Sequence, residues 1–279
     1  MRVIVTGGTG FIGRALTARL LAEGDDVVVP RRGDTSVVDG ADAVVNLSGE
    51  PIAQRWTDAA RRRIEESRLE GTRRLVAAIA SAKARPSVLV SASAVGYYGA
   101  REDEELDEEA PSGDDFLARL CVRWEEEAAA ATAFGVRVVR IRTGLVLAAD
   151  GGALAKMVPA FRAFAGGPVG SGKQWMSWIH RDDLVSLFLF ALRSAAIAGV
   201  LNGTAPAPVR NRDFASAVGA ALRRPAVLPA PAAALRLVLG EMATILLDGQ
   251  RVVPRRALSL GFSFRHPDLH SALRAALRP

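Results

Sequence analysis

Cysteine and histidine are scarce in this sequence, and their scarcity excludes two kinds of centre. The single cysteine, Cys121, cannot form an internal disulfide, which is typical of a chain in a reducing compartment, and we expect a cytoplasmic protein. Cys121 also falls within a helical pattern, which favours a core position over a nucleophile. Of the three histidines only His266 and His270 are close in sequence, and Pro267 separates them. The sequence therefore predicts no metal site.

Long hydrophobic runs and clustered basic residues are missing as well. The longest runs, such as 184–192 and 232–239, are too short to span a bilayer, so we expect no membrane partner. The chain opens on a strand pattern without a signal-peptide pattern, which argues against secretion. Lysine is rare, and the arginines that give the net charge of +6 are spread out without interleaved aromatics. We therefore expect no nucleic-acid partner.

Apolar segments that read as buried strands alternate with amphipathic segments along most of the chain. We predict strands at 3–5, 27–29, 43–47, 88–90, 136–141, 176–179 and 200–203. We predict helices at 11–24, 57–84 (continuous or broken near Ser67), 115–134, 154–165 and 181–194. This alternation predicts an α/β fold of the Rossmann type, a doubly wound parallel sheet with helices on both faces. The connection at 30–42 is so short that its helix must be short or missing.

The texture of the sequence changes after about residue 150, where glycine-rich loops and helices separated by prolines take over. We predict a dinucleotide-binding domain over residues 1–205, whose loops at 151–173 contribute to a substrate cleft. Residues 206–279 are predicted to form a small, mostly helical C-terminal lobe. No repeat or low-complexity linker is present, so the lobe is expected to pack on the first domain rather than move freely.

The segment 5–13 reads Val-Thr-Gly-Gly-Thr-Gly-Phe-Ile-Gly and joins the first strand to the first helix. Gly7 permits a tight turn, Gly10 lets a pyrophosphate approach the backbone, and Gly13 lets the helix pack close to the strand. The N-terminus of the helix then offers free N–H groups to the phosphates. The predicted phosphate-binding residues are Gly7, Thr9, Gly10, Phe11, Ile12 and Gly13.

The end of the second strand indicates which dinucleotide is bound. NAD enzymes usually place a carboxylate there for the ribose 2′-hydroxyl. This chain instead has Arg31 and Arg32, with no carboxylate before Asp34. Two guanidinium groups at the position of a 2′-phosphate favour NADP. The alternative is that both are ordinary surface arginines.

These segments, together with further blocks, resemble the extended short-chain dehydrogenase/reductase superfamily of NAD-dependent epimerases and dehydratases. The resemblance is strongest to an atypical "epimerase family" branch that includes the YfcH-like proteins. The blocks that carry it are 46–52, 67–68, 91–99, 113–117, 151–154, 166–172, 175–180 and 249–252. They extend over essentially the whole chain.

The resemblance implies roles for individual residues. Leu47 and Ser48 would lie along the adenosine ribose and the pyrophosphate, with Glu50 in the same loop and Arg68 contacting the cofactor. The end of the fourth strand, from Ser91 to Val95, would lie beside the cofactor too. Ser93 occupies the position of the superfamily's catalytic serine; alternatively it only satisfies local backbone groups.

The resemblance also exposes a missing catalytic pair. The superfamily uses a tyrosine and, four residues later, a lysine on the helix after the fourth strand. Here Phe116 and Leu120 stand at the expected positions. The resemblance therefore implies an NADP-dependent oxidoreductase or epimerase-like protein that lacks this pair and acts on an unidentified small molecule.

Three explanations remain open for the missing pair. Tyr97 or Tyr98, the only tyrosines, could be a relocated acid activated by Arg101, or an aromatic lid on the cleft. Solvent or His180 could supply the proton, although an aspartate that caps the following helix would give His180 a structural role. Finally, the chain could be a catalytically silent NADP-binding sensor or scaffold, and a homodimer is compatible with any of these. We expect the cleft to be lined by Ser93, the two tyrosines, Trp175, Trp178 and the loops at 151–172.

Overall fold

The computed structural model describes residues 1–277. Its strands are β1 (Arg2–Thr6), β2 (Asp26–Val28), β3 (Ala43–Asn46), β4 (Val88–Ala94), β5 (Glu105–Leu106), β6 (Arg137–Thr143), β7 (Leu145–Leu147), β8 (Trp175–Met176), β9 (Trp178–His180), β10 (Gly199–Gly203), β11 (Val209–Arg210) and β12 (Arg251–Val252). Its α-helices are α1 (Phe11–Ala22), α2 (Asp58–Ser81), α3 (Phe116–Ala129), α4 (Gly152–Arg162), α5 (Arg181–Arg193), α6 (Asn211–Leu222), α7 (Ala232–Leu239), α8 (Thr244–Leu247), α9 (Arg255–Ser259) and α10 (Leu269–Ala276).

Six of these strands form a central sheet in the order β10-β6-β4-β3-β1-β2, and every neighbouring pair is parallel. The direction of winding reverses between β1 and β3, because β2 follows β1 on one side and β3 continues on the other. The carboxyl ends of strands at such a switch point are the usual place for a ligand in an open α/β sheet.

Strand β1 shows why the sequence folds in layers. Val3 and Val5 face a cluster covered by α1 and α5, whereas Ile4 faces a cluster covered by α2 and α3. All three side chains are fully buried. A continuous apolar strand therefore indicates a sheet with helices on both faces, and the predicted Rossmann-type fold is confirmed.

One connection between strands lacks the helix that a regular doubly wound sheet would have, as the sequence predicts. Between β2 and β3 there is only a short 3₁₀ turn, Ser36–Val38, as the short connection predicts. Helix α2 is continuous through Ser67, and the side chain of Thr57 caps it by accepting the N–H of Ala60. The predicted strand at 176–179 is split by Ser177, whose hydroxyl donates to the carbonyl of Gln250 and accepts the N–H of Val252.

A second hydrophobic cluster lies outside the central sheet. It joins Leu147, Phe161 and Trp178 with Phe214 of α6 and Leu273 of α10. The cluster therefore takes side chains from both sides of residue 205, and the division of the chain there stays a prediction. Within residues 1–277 the structure contains no helix that is both long and apolar enough to cross a membrane.

Candidate functional site

A cavity of about 850 Å³ opens at the carboxyl ends of β1, β2 and β3, where the winding reverses. The predicted cofactor residues that line it are Gly7, Thr9, Gly10, Arg31, Arg32, Leu47, Ser48 and Glu50. Residues from three separate segments of the sequence therefore meet in one place. We call this space the first cavity.

The glycines of the loop after β1 are required by close backbone packing. Gly7 has φ +72°, and a Cβ there would lie 2.7 Å from the carbonyl carbon of Leu47. A Cβ on Gly13 would overlap the carbonyl oxygen of Gly7, so this glycine brings α1 against the loop. A Cβ on Gly10 would meet only the Gly7 oxygen, at 3.1 Å, which leaves the space beside Gly10 open for a ligand.

The N-terminus of α1 lacks a capping side chain. Gly10 is the N-cap residue and cannot supply one, and the first turn holds no acidic residue. The N–H groups of Phe11, Ile12 and Gly13 are therefore free to bind an anion such as a pyrophosphate. The side chains of Phe11 and Ile12 point elsewhere, since Phe11 packs against Gly151 and Ile12 joins the sheet core. The phosphate binding predicted for Phe11 and Ile12 would therefore use their backbone N–H groups.

Basic side chains from the end of β2 and from α2 line the first cavity. Arg31 and Arg32 follow β2, and the guanidinium of Arg32 lies 3.6 Å from the carboxylate of Glu50. Arg63 and Arg74 of α2 line the same cavity, which the sequence analysis missed. Their spacing of eleven residues is three helical turns, so a search for polar residues on one face of α2 would have found them.

The loop after β3 is held in place by α2. The hydroxyl of Ser67 accepts the N–H of Glu50, and the guanidinium of Arg68 donates to the carbonyl of Glu50 at 3.0 Å. Arg68 also lies 5.2 Å from the ring of Trp124, and burial lowers its pKa. Arg68 therefore supports the loop from behind and is not among the residues lining the first cavity.

Two further predicted residues lie away from the first cavity. Ser91 is fully buried, and its hydroxyl accepts the side-chain N–H of Asn46 at 3.4 Å. Val95 packs with Tyr98 and Leu106 in a small hydrophobic cluster. Their side chains therefore pack within the protein, and any contact of these two residues with the cofactor stays a prediction.

Ser93 belongs to a buried network of charged groups. Its hydroxyl donates to Glu125 at 2.7 Å, and Glu125 also accepts two hydrogen bonds from the guanidinium of Arg142, at 2.8 and 3.0 Å. All three side chains are less than 5% exposed. The hydroxyl of Ser93 thus donates its hydrogen bond to Glu125 rather than to local backbone, which leaves its oxygen free only to accept.

The same network contains Tyr98. Its hydroxyl accepts from Arg142 at 3.0 Å and lies 2.7 Å from Asn202 Oδ1, and the ring is fully buried. Burial raises the pKa of Tyr98 to about 12, against the opposing charge of Arg142. These contacts contradict the prediction that Tyr98 exchanges a proton with a substrate. Tyr97 is half-buried, with its ring 3.3 Å from the guanidinium carbon of Arg142, and lines neither cavity described here.

The positions of α3 that face Ser93 are each one residue later in the sequence than the predicted positions, 116 and 120. Phe116 packs on Trp56, and Leu120 packs in a cluster between α2 and α3. Instead the thiol of Cys121 lies beside Ser93 and the backbone of Ala94, and one turn earlier Leu117 lies against Gly96. The positions that face Ser93 are therefore 117 and 121. Neither carries a tyrosine or a lysine, and burial raises the pKa of Cys121 to about 12.

A second cavity, of about 570 Å³, lies between the loops before α3 and the segment that includes α8. Its lining residues include Trp56, Arg101, Asp114, Asp115, Phe116, Leu117, Glu241 and Asp248. Leu117 connects it to the face of α3 that is turned toward Ser93. We call this space the second cavity.

The predicted lining of the substrate cleft is partly wrong. Trp178 is fully buried in the second hydrophobic cluster. Trp175 is half-buried between the guanidinium groups of Arg210 and Arg251. The glycine loops at 151–172 pack on Phe11, Phe161 and Leu228 and do not line the second cavity. The residues that line the second cavity come from loops whose sequences carry no distinct pattern.

His180 has a structural role of a different kind from the one predicted. Its Nδ1 accepts the N–H of Asp182, so His180 itself caps α5. An aspartate was expected to cap the helix, but Asp183 is buried and accepts the N–H groups of Arg265 and His266. The ring of His266 lies 4.1 Å from that of His180, which brings the two together with Asp182. The sequence alone shows only that His266 and His270 are close along the chain.

Comparison with known proteins supports the predicted resemblance. Residues 3–202 match the NAD dependent epimerase/dehydratase family, and residues 230–276 match a domain of unknown function, DUF1731. A chloroplastic homolog of the epimerase family protein SDR39U1 from Arabidopsis thaliana is 46% identical, covering 100% of this chain and 87% of that protein. The SDR39U1 protein of Homo sapiens is 41% identical, covering 98% of this chain and 99% of that protein. Because the plant relative is chloroplastic, a cytoplasmic location stays a prediction.

Solved structures give the same result. The crystal structure of human epimerase family protein SDR39U1 (isoform2) with NADPH has a TM-score of 0.93 at 40% identity, covering 99% of each chain. A nucleoside-diphosphate sugar epimerase from Corynebacterium glutamicum has a TM-score of 0.81 at 35% identity, covering 99% of this chain and 58% of that one. The similarity includes both the central sheet and the C-terminal helices.

Proposed function

Because this chain belongs to the NAD dependent epimerase/dehydratase family, we propose that it binds NADP(H) in the first cavity and is an NADP-dependent oxidoreductase without a tyrosine–lysine pair. The observation that carries the proposal is the placement of Arg31 and Arg32 beside an uncapped helix N-terminus in one cavity. The human relative crystallised with NADPH supports the choice of NADP.

The residues of the first cavity divide the work of binding. The N–H groups at the start of α1 hold the pyrophosphate, and Gly10 lets it approach the backbone. Arg31 and Arg32 hold the 2′-phosphate, assisted by Arg63 and Arg74 from α2. Leu47 and Ser48 lie beside the ribose, and Glu50 keeps Arg32 in position. When bound, NADP(H) supplies or accepts a hydride.

The groups around Ser93 determine what protein-assisted chemistry is available. Ser93 accepts a hydrogen bond from a substrate hydroxyl, because its own hydroxyl already donates a hydrogen bond to Glu125. Leu117 places an apolar side chain on the side of α3 that faces Ser93, and Cys121 contributes no charge. Standard nucleotide-sugar epimerase turnover needs a proton acceptor at this place, so we expect it to be undetectable with UDP- and GDP-sugars.

The absence of a proton-exchanging group at positions 117 and 121 also favours a second candidate, a catalytically silent NADP-binding sensor or scaffold. The two candidates are separated by supplying NADPH with a broad panel of carbonyl compounds. Oxidation of NADPH that is changed by Ser93→Ala supports the enzyme. Unchanged NADPH with normal binding supports the sensor.

Reversal of charge at the second strand tests the cofactor assignment. Arg31→Glu with Arg32→Glu should weaken NADPH binding by several kcal/mol in calorimetry, since charge-assisted phosphate contacts are replaced by repulsion. The matched control is Arg62→Glu with Arg224→Glu, which makes the same charge change on exposed residues outside the first cavity. Equal affinity of the unaltered protein for NADPH and NADH would overturn the assignment.

A further inference from the structure

Strongly exposed apolar side chains are concentrated within residues 164–238. Among residues 1–277 the four most exposed large apolar side chains are Leu237 (77%), Val227 (73%), Val238 (66%) and Phe164 (57%). Leu228, beside Val227, is exposed as well. Single exposed apolar residues are normal on a protein surface, whereas a group of them marks a place where something else covers the protein.

The two segments that carry these side chains lie side by side. The N–H of Leu228 donates to the carbonyl of Gly166, in the loop after α4, at 3.1 Å. The guanidinium of Arg224 lies 4.8 Å from the ring of Phe164, which joins the end of α6 to the end of α4. Helix α7 follows the second segment along the chain. We call this surface the exposed face, and it is formed by Arg162, Phe164, Arg223, Arg224, Val227, Leu228, Leu237 and Val238.

Helix α7 turns apolar residues toward solvent. None of its residues is buried, and Leu237 and Val238 follow the exposed Ala233 and Ala234 by one helical turn. These four residues therefore lie on the same side of the helix. A surface helix normally has polar residues on its solvent side, whereas here that side is apolar apart from Arg236. This pattern is typical of a helix that lies at a boundary between water and an apolar phase.

Backbone strain coincides with the exposed face. Within residues 1–277 only Phe164 and Arg223 have a positive φ without being glycine, at +61° and +55°. Phe164 follows α4 and Arg223 follows α6, at helix ends where glycine is the usual residue for this conformation. A Cβ makes the conformation unfavourable. The chain therefore holds an exposed aromatic ring and an exposed cation in place against a local cost.

The exposed face carries positive charge without carboxylates. Residues 151–181 and 214–240 contain no aspartate or glutamate, although the chain has 30 acidic residues. The cations of the exposed face are all open to solvent, and they are Arg162, Arg223 and Arg224. Arg236 is exposed too, but part of its charge acts on Asp248. An anionic surface is therefore complementary in charge to the exposed face.

Two other kinds of partner fit the exposed face less well. A second copy that docked through the same face would bring arginine onto arginine, because a two-fold contact places the same surface on both sides. Protein partners are held mainly by tyrosine, tryptophan and arginine, with leucine and valine under-represented. The apolar residues of the exposed face are instead leucine, valine and phenylalanine. An anionic membrane offers both an apolar interior and a negative surface.

We propose that the exposed face docks this protein onto an anionic membrane surface without crossing the bilayer. Phe164, Leu237 and Val238 enter the boundary between head groups and acyl chains, and the arginines lie among the lipid phosphates. The expectation of no membrane partner rested on the length of apolar runs, which decides whether a segment can cross a bilayer and not whether a surface can lie on one. Docking is independent of NADPH, since no residue of the exposed face lines the first cavity.

Sedimentation of the full chain with lipid vesicles tests this docking. The probes are vesicles of phosphatidylcholine alone and vesicles of equal parts phosphatidylcholine and phosphatidylglycerol. The mixed vesicles should bind at least about tenfold more tightly, since each arginine near an anionic surface contributes roughly fivefold in affinity. Added salt should weaken this binding. Binding to neither kind of vesicle, or equal binding to both, would overturn the proposal.

Apolar-to-polar variants of α7 show whether its side chains enter the lipid. Leu237→Gln with Val238→Gln should weaken binding to the mixed vesicles about tenfold, because less apolar surface is removed from water. Both side chains are exposed and glutamine suits a helix, so the fold should be retained. The matched control, Leu21→Gln with Leu258→Gln, changes exposed apolar residues of α1 and α9 and should leave vesicle binding unchanged. Equal losses in the two pairs would refute a specific role for α7.

Neutralising variants test the arginines separately. Arg162→Gln with Arg224→Gln should weaken binding to the mixed vesicles about tenfold, since two cations are lost at the anionic surface. The control, Arg62→Gln with Lys83→Gln, removes the same charge at exposed positions outside the exposed face and should have little effect. A loss of the same size in the control would show that the net charge of +6, rather than this face, attracts the lipid.

A glycine variant separates docking from folding. Glycine suits the positive φ of Phe164, so Phe164→Gly should keep the circular dichroism spectrum unchanged while vesicle binding falls severalfold. Vesicle binding at full strength in this variant would contradict the insertion of the ring. Sedimentation equilibrium without lipid covers the remaining occupant. A dimer that Leu237→Gln with Val238→Gln dissociates, in a protein that binds no vesicles, would assign the exposed face to a second copy and overturn the membrane proposal.

Discussion

Glu125 and Arg142 are buried charges on neighbouring elements, at 4% and 3% exposed, and each depends on the other. The carboxylate raises the pKa of Arg142 in spite of burial, which keeps the guanidinium charged. Arg142 in turn holds Tyr98 and lies against the ring of Tyr97. The pair therefore anchors the segment after β4 to β6 from inside the molecule.

Removing one partner should be costly. Glu125→Ala leaves an unpaired guanidinium in the interior, so we expect the free energy of unfolding in urea to fall by about 3–5 kcal/mol. The double variant Glu125→Leu with Arg142→Met should recover most of that loss, because no buried charge remains. A double variant as unstable as Glu125→Ala would show that the cost comes from packing.

His180 links the cap of α5 to pH. Burial lowers its pKa from the ordinary 6.5, with Asp182 and Asp183 opposing the shift and His266 and Arg181 adding to it. Below pH 6.5 the unfolded chain therefore binds a proton that the folded chain resists, and stability falls as pH falls. His180→Asn keeps a capping side chain and should flatten this fall between pH 6.5 and 5, measured by urea denaturation. An unchanged pH dependence would assign it to other groups.

Sequence patterns identified residues with a local signature and missed those defined by distant contacts. Arg31 and Arg32 were found because they follow a strand directly. Tyr98 was misjudged because its partners, Asn202 and Arg142, come from remote strands. The spacing of residues within a short segment gives no information on contacts with distant segments.

At the scale of elements, hydrophobic periodicity predicted where helices occur better than it predicted which helix face is turned toward the site. Helix α3 was predicted at 115–134 and is found at Phe116–Ala129, followed by a 3₁₀ turn to Phe134. Its face was assigned one residue early, because apolar residues lie on both sides and only the contact of Cys121 with Ser93 fixes the rotation. One residue corresponds to about 100° of helix rotation, enough to exchange the proposed site positions.

The loop between β1 and α1 permits a contrast between two glycines. Gly10→Val should abolish NADPH binding in calorimetry while the circular dichroism spectrum stays unchanged, because its side chain enters the ligand space. Gly13→Ala should instead destabilise the fold, because its Cβ overlaps the Gly7 carbonyl. NADPH bound normally by Gly10→Val would refute the placement of the pyrophosphate.

Across the whole molecule, the C-terminal segment returns to the first core. Ala257 of α9 and Phe262 pack into the cluster formed by β1, α1 and α5. The second hydrophobic cluster meanwhile combines residues before and after β10. The boundary at residue 205 follows from the linear order of the sequence and stays a prediction. Which segments share a core depends on how the chain folds back, and sequence periodicity does not show this.

This interlocking predicts how cofactor binding acts on stability. Because both clusters share segments, heating should unfold the chain in one transition, with calorimetric and van't Hoff enthalpies equal. NADPH at about 100 times its Kd should stabilise the folded state by about 2.7 kcal/mol and raise Tm by roughly 5–10 °C. NADH at the same concentration should raise Tm less, since it lacks the phosphate held by Arg31 and Arg32. Two separate transitions, only one of them shifted by NADPH, would show instead that the C-terminal segment folds as an independent unit.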